Sequence, residues 1–239
     1  MMLQHRPLAE IGGGDLGWLK AKHHFAIGGH GNPAHRAVGN LFVLNDDEIA
    51  AGSGFPLHGH ADIEIISYVR DGVVTHEDSL GNKGHTHAGD MQVMSAGTGI
   101  RHAEYNEQDV PARMFQIWLK PREVGGEPRW NTRAFPKADR AGSFVTLASG
   151  YDAPDALPLR ANAEVHGALV AAGTKVTFDF PPGHSGYLVP ASGVVFVGNE
   201  RIEAREGLVI TDEASITIEA VDDAELVLIV TADPPPADN

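Results

Sequence analysis

Two short strings constrain this chain most, His58-Gly59-His60 and His102-Ala103-Glu104. In an extended strand, residues two apart point to the same face, roughly 6–7 Å apart along the chain. Two such pairs on facing strands bring three imidazoles and a carboxylate to one point inside a barrel. Neutral nitrogen donors with one anionic oxygen form a ligand set for a divalent transition metal. The 41 residues between the pairs leave room for intervening strands. Buried imidazoles and carboxylates without partners are costly, so four of them at this spacing are read as one constellation.

The rest of the chain suits a barrel. Residues 63–69 are β-branched and aromatic-rich and run into Asp71-Gly72, a hairpin signal, with a strand resuming at 73–75. Further strand patterns cover 91–95, 113–119, 144–147, 175–180, 194–197, 216–219 and 225–230, and Gly198-Asn199 joins two strands as a hairpin. Short strands punctuated by Gly and Pro indicate an all-β barrel or sandwich. No long amphipathic helical stretch occurs, only room for short helices between 120 and 160. The turn-rich, charged segment Pro121-Arg122-Glu123-Val124-Gly125-Gly126-Glu127-Pro128 breaks the strand pattern. The division read from this is a metal-binding barrel over 1–120, a linker region over 121–142, a second barrel over 143–232 and a tail over 233–239. Eleven of the 13 histidines precede residue 121, so the metal chemistry is assigned to the first half.

Composition narrows the function. With 239 residues and 42% hydrophobic residues, the chain is long enough for two fused modules with a core. The formal charge of −14, from 18 basic and 32 acidic residues, disfavours nucleic acid and anionic membrane surfaces as partners. There is no cysteine, which removes disulfides, thiolate ligands and cysteine nucleophiles. Met1 to Glu10 lacks an apolar stretch and no run of about 18 apolar residues occurs, so a cytoplasmic location is expected.

The strings around the two pairs resemble known motifs. Gly52, five residues on, leads to His58-x-His60 and then Glu64, and His102 is followed four positions later by Asn106. This is similar to the two motifs of the cupin superfamily. The stretches His76-Glu77-Asp78-Ser79-Leu80-Gly81-Asn82-Lys83-Gly84, Met94 through Asn106, and Gln116-Ile117-Trp118-Leu119-Lys120-Pro121 resemble the pirin family, on its bacterial quercetin 2,3-dioxygenase-like branch. The N-terminal half carries the resemblance, and the C-terminal half follows it in pattern only. Gly59 and Ala61 depart from it, standing where pirins usually carry Pro and a basic residue. The resemblance implies an all-β bicupin: two tandem cupin-type β-barrels (double-stranded β-helix, or jelly roll) with few short helices, the first holding the metal. Spacing alone permits either Glu64, which shares strand parity with His60, or Glu104 as the fourth ligand. The resemblance implies Glu104, leaving Glu64 as a barrel-wall carboxylate.

Other candidates read as structural. His85-Thr86-His87 lacks a carboxylate at matching spacing and fits an exposed strand edge, while His23-His24 reads as surface or packing histidines. His184 has no second histidine two residues away. Gly12-Gly13-Gly14-Asp15-Leu16-Gly17 satisfies a dinucleotide-loop pattern without its βαβ setting, and reads as a flexible loop. Met91, Met94, Phe115 and Trp118 suit either a cavity lining or barrel core.

The function implied is a metal-dependent dioxygenase of the quercetin 2,3-dioxygenase type, acting on a small aromatic, flavonol-like substrate and O2. His58, His60 and His102 would hold one divalent ion and Glu104 would take the substrate hydroxyl proton. Fe(II) is the preferred metal, with Cu, Ni, Mn, Co and Zn as others that such a shell accepts. The alternative is a non-enzymatic, iron redox-sensing regulator in which the same four ligands hold the metal and its state alters a surface that binds a protein partner. A sugar-phosphate isomerase ranks below both, because Arg70, Lys83 and Arg101 are the only nearby cations for a phosphate.

Overall fold

The computed structural model describes residues 2–232, and the expected tail over 233–239 lies outside the described residues. The chain forms two β-barrels in tandem, and the 3₁₀ turn Lys137–Arg140 is the helical element among the described residues. In the first barrel a seven-stranded sheet runs, in spatial order, Arg129–Arg133, Met91–Ser95, Glu64–Asp71, Ala112–Leu119, Leu41–Ile49, Leu19–His23 and Gly12–Asp15. Against it lies a four-stranded sheet of Ser53–His60, Ile100–Asn106, Val73–Asp78 and Lys83–His87. The second barrel repeats this order. Its seven-stranded sheet is Met2–Arg6, Gly207–Thr211, His184–Ser192, Ala224–Ala232, Ala163–Val170, Val145–Ser149 and Leu157–Pro158. Its four-stranded sheet is Lys175–Asp179, Ser215–Ala220, Val195–Val197 and Glu200–Ile202. No helix among the described residues is long and apolar enough to cross a membrane.

Each barrel borrows a strand from beyond its own half. Met2–Arg6 pairs antiparallel with Gly207–Thr211, and Arg129–Arg133 pairs with Met91–Ser95. The stretch 121–142, expected as a connector, therefore contains a strand of the first barrel as well as the 3₁₀ turn.

Period-two alternation decides what goes where. On Glu64–Asp71, Ile66 and Tyr68 point outward from the first barrel while Ile65, Ser67 and Val69 point inward. The outer faces of the two seven-stranded sheets pack on each other, joining Ile66, Tyr68 and Phe115 to Val165, Tyr187 and Ile229 in one buried cluster. The interiors form separate clusters, Ile49, Val69, Val74 and Met114 in the first barrel and Val176, Leu188, Ile216 and Ile218 in the second. Met91 and Phe115 belong to the shared core between the barrels, whereas Met94 lies in the first barrel's interior beside Trp118.

Buried cations tie the seam. Arg6 lies over the rings of Phe25 (4.8 Å) and Tyr187 (5.3 Å) and donates to the backbone carbonyls of His24 (3.1 Å) and Arg36 (3.0 Å). His24 is buried and hydrogen-bonded to the Tyr187 hydroxyl at 2.9 Å, a packing role. Arg140 donates to the Tyr68 hydroxyl (2.9 Å) and the Gly89 carbonyl (3.1 Å), and Tyr68 in turn donates to Glu225 of the second barrel.

Two turn readings are corrected. Asp71-Gly72 makes a turn, with Gly72 at φ +76°, but no hairpin. The strands on either side pair with different neighbours, because the chain crosses here from the seven-stranded to the four-stranded sheet. Local turn chemistry cannot distinguish the two outcomes. The glycine string is no flexible loop: Gly12–Asp15 is an edge strand paired with Leu19–His23. Its glycines permit close approach, since a Cβ on Gly12 would meet Gly31 at 2.7 Å and one on Gly13 would meet the Ala21 carbonyl at 2.3 Å. The Gly198-Asn199 hairpin forms, joining Val195–Val197 to Glu200–Ile202.

Phe115 is fully buried in the shared core and carries the Arg70 guanidinium 4.6 Å above its ring. Phe115→Ala should cost about 3–5 kcal/mol in denaturant unfolding, and both barrels should melt in a single transition followed by tryptophan fluorescence and circular dichroism alike.

Candidate metal centre

The site is built from two adjacent strands of the four-stranded sheet. Ser53–His60 and Ile100–Asn106 pair antiparallel with His58 opposite His102 and His60 opposite Ile100. A bulge between His102 and Glu104 sets two residues, Pro56 and Leu57, against Ala103. Pro56 has no N–H to give the ladder, which suits a bulge. The extra residue also shifts parity. Phe55 packs with the barrel interior although it stands three positions before inward-facing His58.

The three imidazoles converge. Ligand-type atoms of His58, His60 and His102 lie within 4.8 Å of one another. Ring centroids are 4.7 Å apart for His58 and His60, 4.5 Å for His58 and His102, and 5.1 Å for His60 and His102. His58 Nδ1 donates to the Pro56 carbonyl at 2.7 Å, which leaves Nε2 as its lone-pair nitrogen. His60 Nε2 and both ring nitrogens of His102 are buried without hydrogen-bond partners. Orphaned buried nitrogens aimed at a common point are the state expected of ligands for one ion, so the residues present fit a divalent metal.

Electrostatics keep these nitrogens available. Burial, reinforced by His58, lowers the His60 pKa to about 4. Burial and the neighbouring His58, His76 and His60 lower that of His102 to about 3. Both are therefore neutral at pH 7, as metal ligation requires.

The carboxylates lie apart from the triad. Glu104 does not join the cluster within 4.8 Å. It is 1% exposed and held by three neutral donors: Ser67 Oγ (2.8 Å) and Gln92 Nε2 (2.6 Å) to Oε1, and Gln116 Nε2 (2.7 Å) to Oε2. Strand register assembles this cradle. Gln116 stands opposite Ser67 and Ser67 opposite Gln92, so the donors form one row across three strands. The next row towards the mouth is apolar, Trp118, Ile65 and Met94. Burial pushes the Glu104 carboxyl above the usual carboxylate range, against the pull of the Ser67 hydrogen bond and of His76 and His58. Glu64 is also buried, but it accepts from Ser95 Oγ (2.8 Å) and from the Arg160 backbone N–H (2.9 Å), which fastens the wall of the first barrel to a segment leading into the second.

Gln92, Gln116, Ser67, Trp130 and His76 were not singled out from sequence as parts of the site, whereas Trp118, read as cavity lining or barrel core, lies in the interior with its ring 5.2 Å from that of His60. His76 is fully buried, stacked on Trp130 at 4.6 Å with nearly parallel rings, and 5.4 Å from the His102 ring. Its parity with Asp78, to which its Nε2 donates at 3.1 Å, was the available signal. His60 of the triad, with Gly59, Ala61, Ser79, Gly99, Ile100 and Arg101, lines an open surface cleft of about 410 Å³.

His85 and His87 are exposed on the edge strand Lys83–His87. His184 opens a strand of the second barrel and faces the Tyr151 hydroxyl at 3.1 Å. In the second barrel the strands corresponding to the metal pair place Phe178 opposite Ile216 and Val176 opposite Ile218. Apolar packing fills that position.

Family models of pirin match residues 5–119, and of the quercetinase C-terminal cupin domain residues 146–230. A pirin-like protein of Caulobacter vibrioides is 56% identical over 97% of this chain and 100% of its own. The chain belongs to the pirin family. A quercetin 2,3-dioxygenase of Escherichia coli K12 is 35% identical, covering 95% of this chain and 97% of its own. Among solved structures, the bacterial pirin YhhW from Escherichia coli in complex with nickel(II) superposes with a TM-score of 0.91 at 32% identity, over 98% of this chain and 100% of that one. The bicupin architecture of this pirin-family chain agrees with these relatives throughout its length.

The depressed imidazoles carry a pH signature. Unfolded histidines take a proton near pH 6.5, whereas folded His60 and His102 wait until about 4 and 3. Between those values the unfolded chain binds more protons. Their contribution to stability is whole above pH 6.5 and is lost as pH falls towards 4. In metal-free protein, the fall in Tm from pH 7 to pH 5 should be smaller for His102→Gln than for the wild type.

Proposed function

We propose that this chain is a metal-dependent dioxygenase of the quercetin 2,3-dioxygenase type, opening a flavonol-like aromatic substrate with O2. The observation that carries this reading is the triad of converging imidazoles with buried ring nitrogens left without partners, of which His60 also lines an open surface cleft. The similarity to the quercetin 2,3-dioxygenase of Escherichia coli supports the same reading.

One divalent ion, Fe(II) by preference, supplies Lewis acidity towards a substrate oxygen and a redox partner for O2. His58, His60 and His102 would hold it, and Glu104, two positions along the strand from His102, would turn in as the fourth ligand. The rest is done by the chain. Ile100 and the Arg101 stem offer a wall along which a flat aromatic ring lies beside His60. Glu104 accepts the substrate hydroxyl proton. It can do so only when released from the ion, because a carboxylate held by a cation is a weak base. The apolar row of Trp118, Ile65 and Met94 limits water around that step.

The test loads metal-free protein with Fe(II), Cu(II), Ni(II), Mn(II) and Co(II) in turn and follows flavonol absorbance together with O2 uptake. Turnover is expected with at least one ion, and His60→Ala should lose both bound metal and turnover. Stoichiometric metal without turnover for any of the five would discard the dioxygenase reading in favour of a metal-binding regulatory protein.

A further inference from the structure

Two side-chain amides beneath the triad reveal which way round they sit. Trp118 Nε1 donates to Gln116 Oε1 at 3.0 Å, while Gln116 Nε2 donates to Glu104 Oε2 at 2.7 Å. On the other side, Trp130 Nε1 (3.3 Å) and Thr86 Oγ (3.0 Å) donate to Gln92 Oε1, while Gln92 Nε2 donates to Glu104 Oε1 at 2.6 Å. An indole nitrogen offers only a proton, and an ionised carboxylate only lone pairs. Each amide is thus caught between a group that can only give and a group that can only accept. Turned over, either would set N–H against N–H at the tryptophan and carbonyl oxygen against carboxylate at Glu104.

We propose that Gln92 and Gln116 are positioning residues for Glu104, locked with their NH2 groups inward by the indole N–H of Trp130 and Trp118. This rests on reading Glu104 as a member of the metal site. The lock determines which oxygen is left over. A carboxylate offers about four lone-pair sites. Oε1 spends two, on Ser67 and Gln92, and Oε2 spends one, on Gln116. Oε2 is the oxygen with capacity for a cation. Each tryptophan also touches the imidazole side of the site. Trp118 meets the His60 ring edge-on at 5.2 Å, and Trp130 stacks on His76, the neighbour of His102. The same two rings therefore set the histidine wall and the carboxylate floor in register with each other.

Trp118→Phe and Trp130→Phe keep a ring and remove the N–H. Metal affinity is read by titration with Co(II), and the visible absorption of the Co(II)-loaded protein reports the ligand field, with Tm as a control for folding. Each variant should weaken Co(II) binding about tenfold, the scale of lost support around a metal ligand, and should shift the visible bands. Combined with Glu104→Gln, neither should add a further loss, because both act through Glu104. Unchanged affinity and bands in both tryptophan variants, or losses additive with Glu104→Gln, would overturn the proposal. If Glu104→Gln alone leaves affinity and bands unmoved, the underlying assignment of Glu104 fails and the proposal falls with it. Should a tryptophan variant not fold, Gln116→Leu and Gln92→Leu serve in its place with the same expectations.

Discussion

Everything in this molecule hangs on the packing of one seven-stranded sheet against the other. The outer faces of these sheets form the shared core, with Tyr68 and Phe115 meeting Tyr187 and its neighbours. Burial at roughly 25 cal/mol per Å² of apolar surface makes such a seam a principal source of stability. It also frees the inner faces. Because residues alternate along a strand, a strand such as Glu64–Asp71 devotes Ile66 and Tyr68 to the seam and Ser67 to Glu104. Stability and chemistry are thus written on opposite faces of the same strands, and a register slip of one residue would exchange them.

The inner face of the first barrel shows how polarity is tolerated in a closed interior. A polar row, Gln116, Ser67 and Gln92, is sandwiched between apolar layers and is satisfied by turning its donors on one carboxylate. Above it His60 and His102 keep buried ring nitrogens without partners. Their desolvation keeps them neutral, which costs folding stability in acid and serves metal binding. The second barrel, with the same strand order, resolves the same position with Val176, Phe178, Ile216 and Ile218. Comparison of the two barrels separates what the architecture demands from what the chemistry demands.

The histidine triad was legible because its signal is local. Two residues at period-two spacing on each of two strands announce a common face, and most strand positions follow from the same alternation. What stayed hidden depended on cross-strand register. Gln92, Ser67 and Gln116 are unremarkable singly, and only the pairing of three strands sets them in a row. The Asp71-Gly72 turn failed as a hairpin signal for the same reason, since its local chemistry says nothing of the sheet that the next strand joins. The glycine string at 12–17 misled differently. Close contacts with Gly31 and Ala21, distant or unpaired in sequence terms, give those glycines their place in a strand. Glu64 and Glu104 could not be separated by spacing, and the structure gives them different partners altogether.

The exchanged strands impose an order on the making of the molecule. Met2–Arg6 is synthesised about two hundred residues before its pairing partner Gly207–Thr211. The strands of the first barrel are complete once Arg129–Arg133 has been made, while Met2–Arg6 lacks its partner, an open edge, until Gly207–Thr211 follows. Arg6 on that strand gives the waiting edge a charge, and in the finished protein the same side chain is buried over Phe25 and Tyr187. A segment fused ahead of Met2–Arg6 is thereby carried to the edge of the second barrel's sheet.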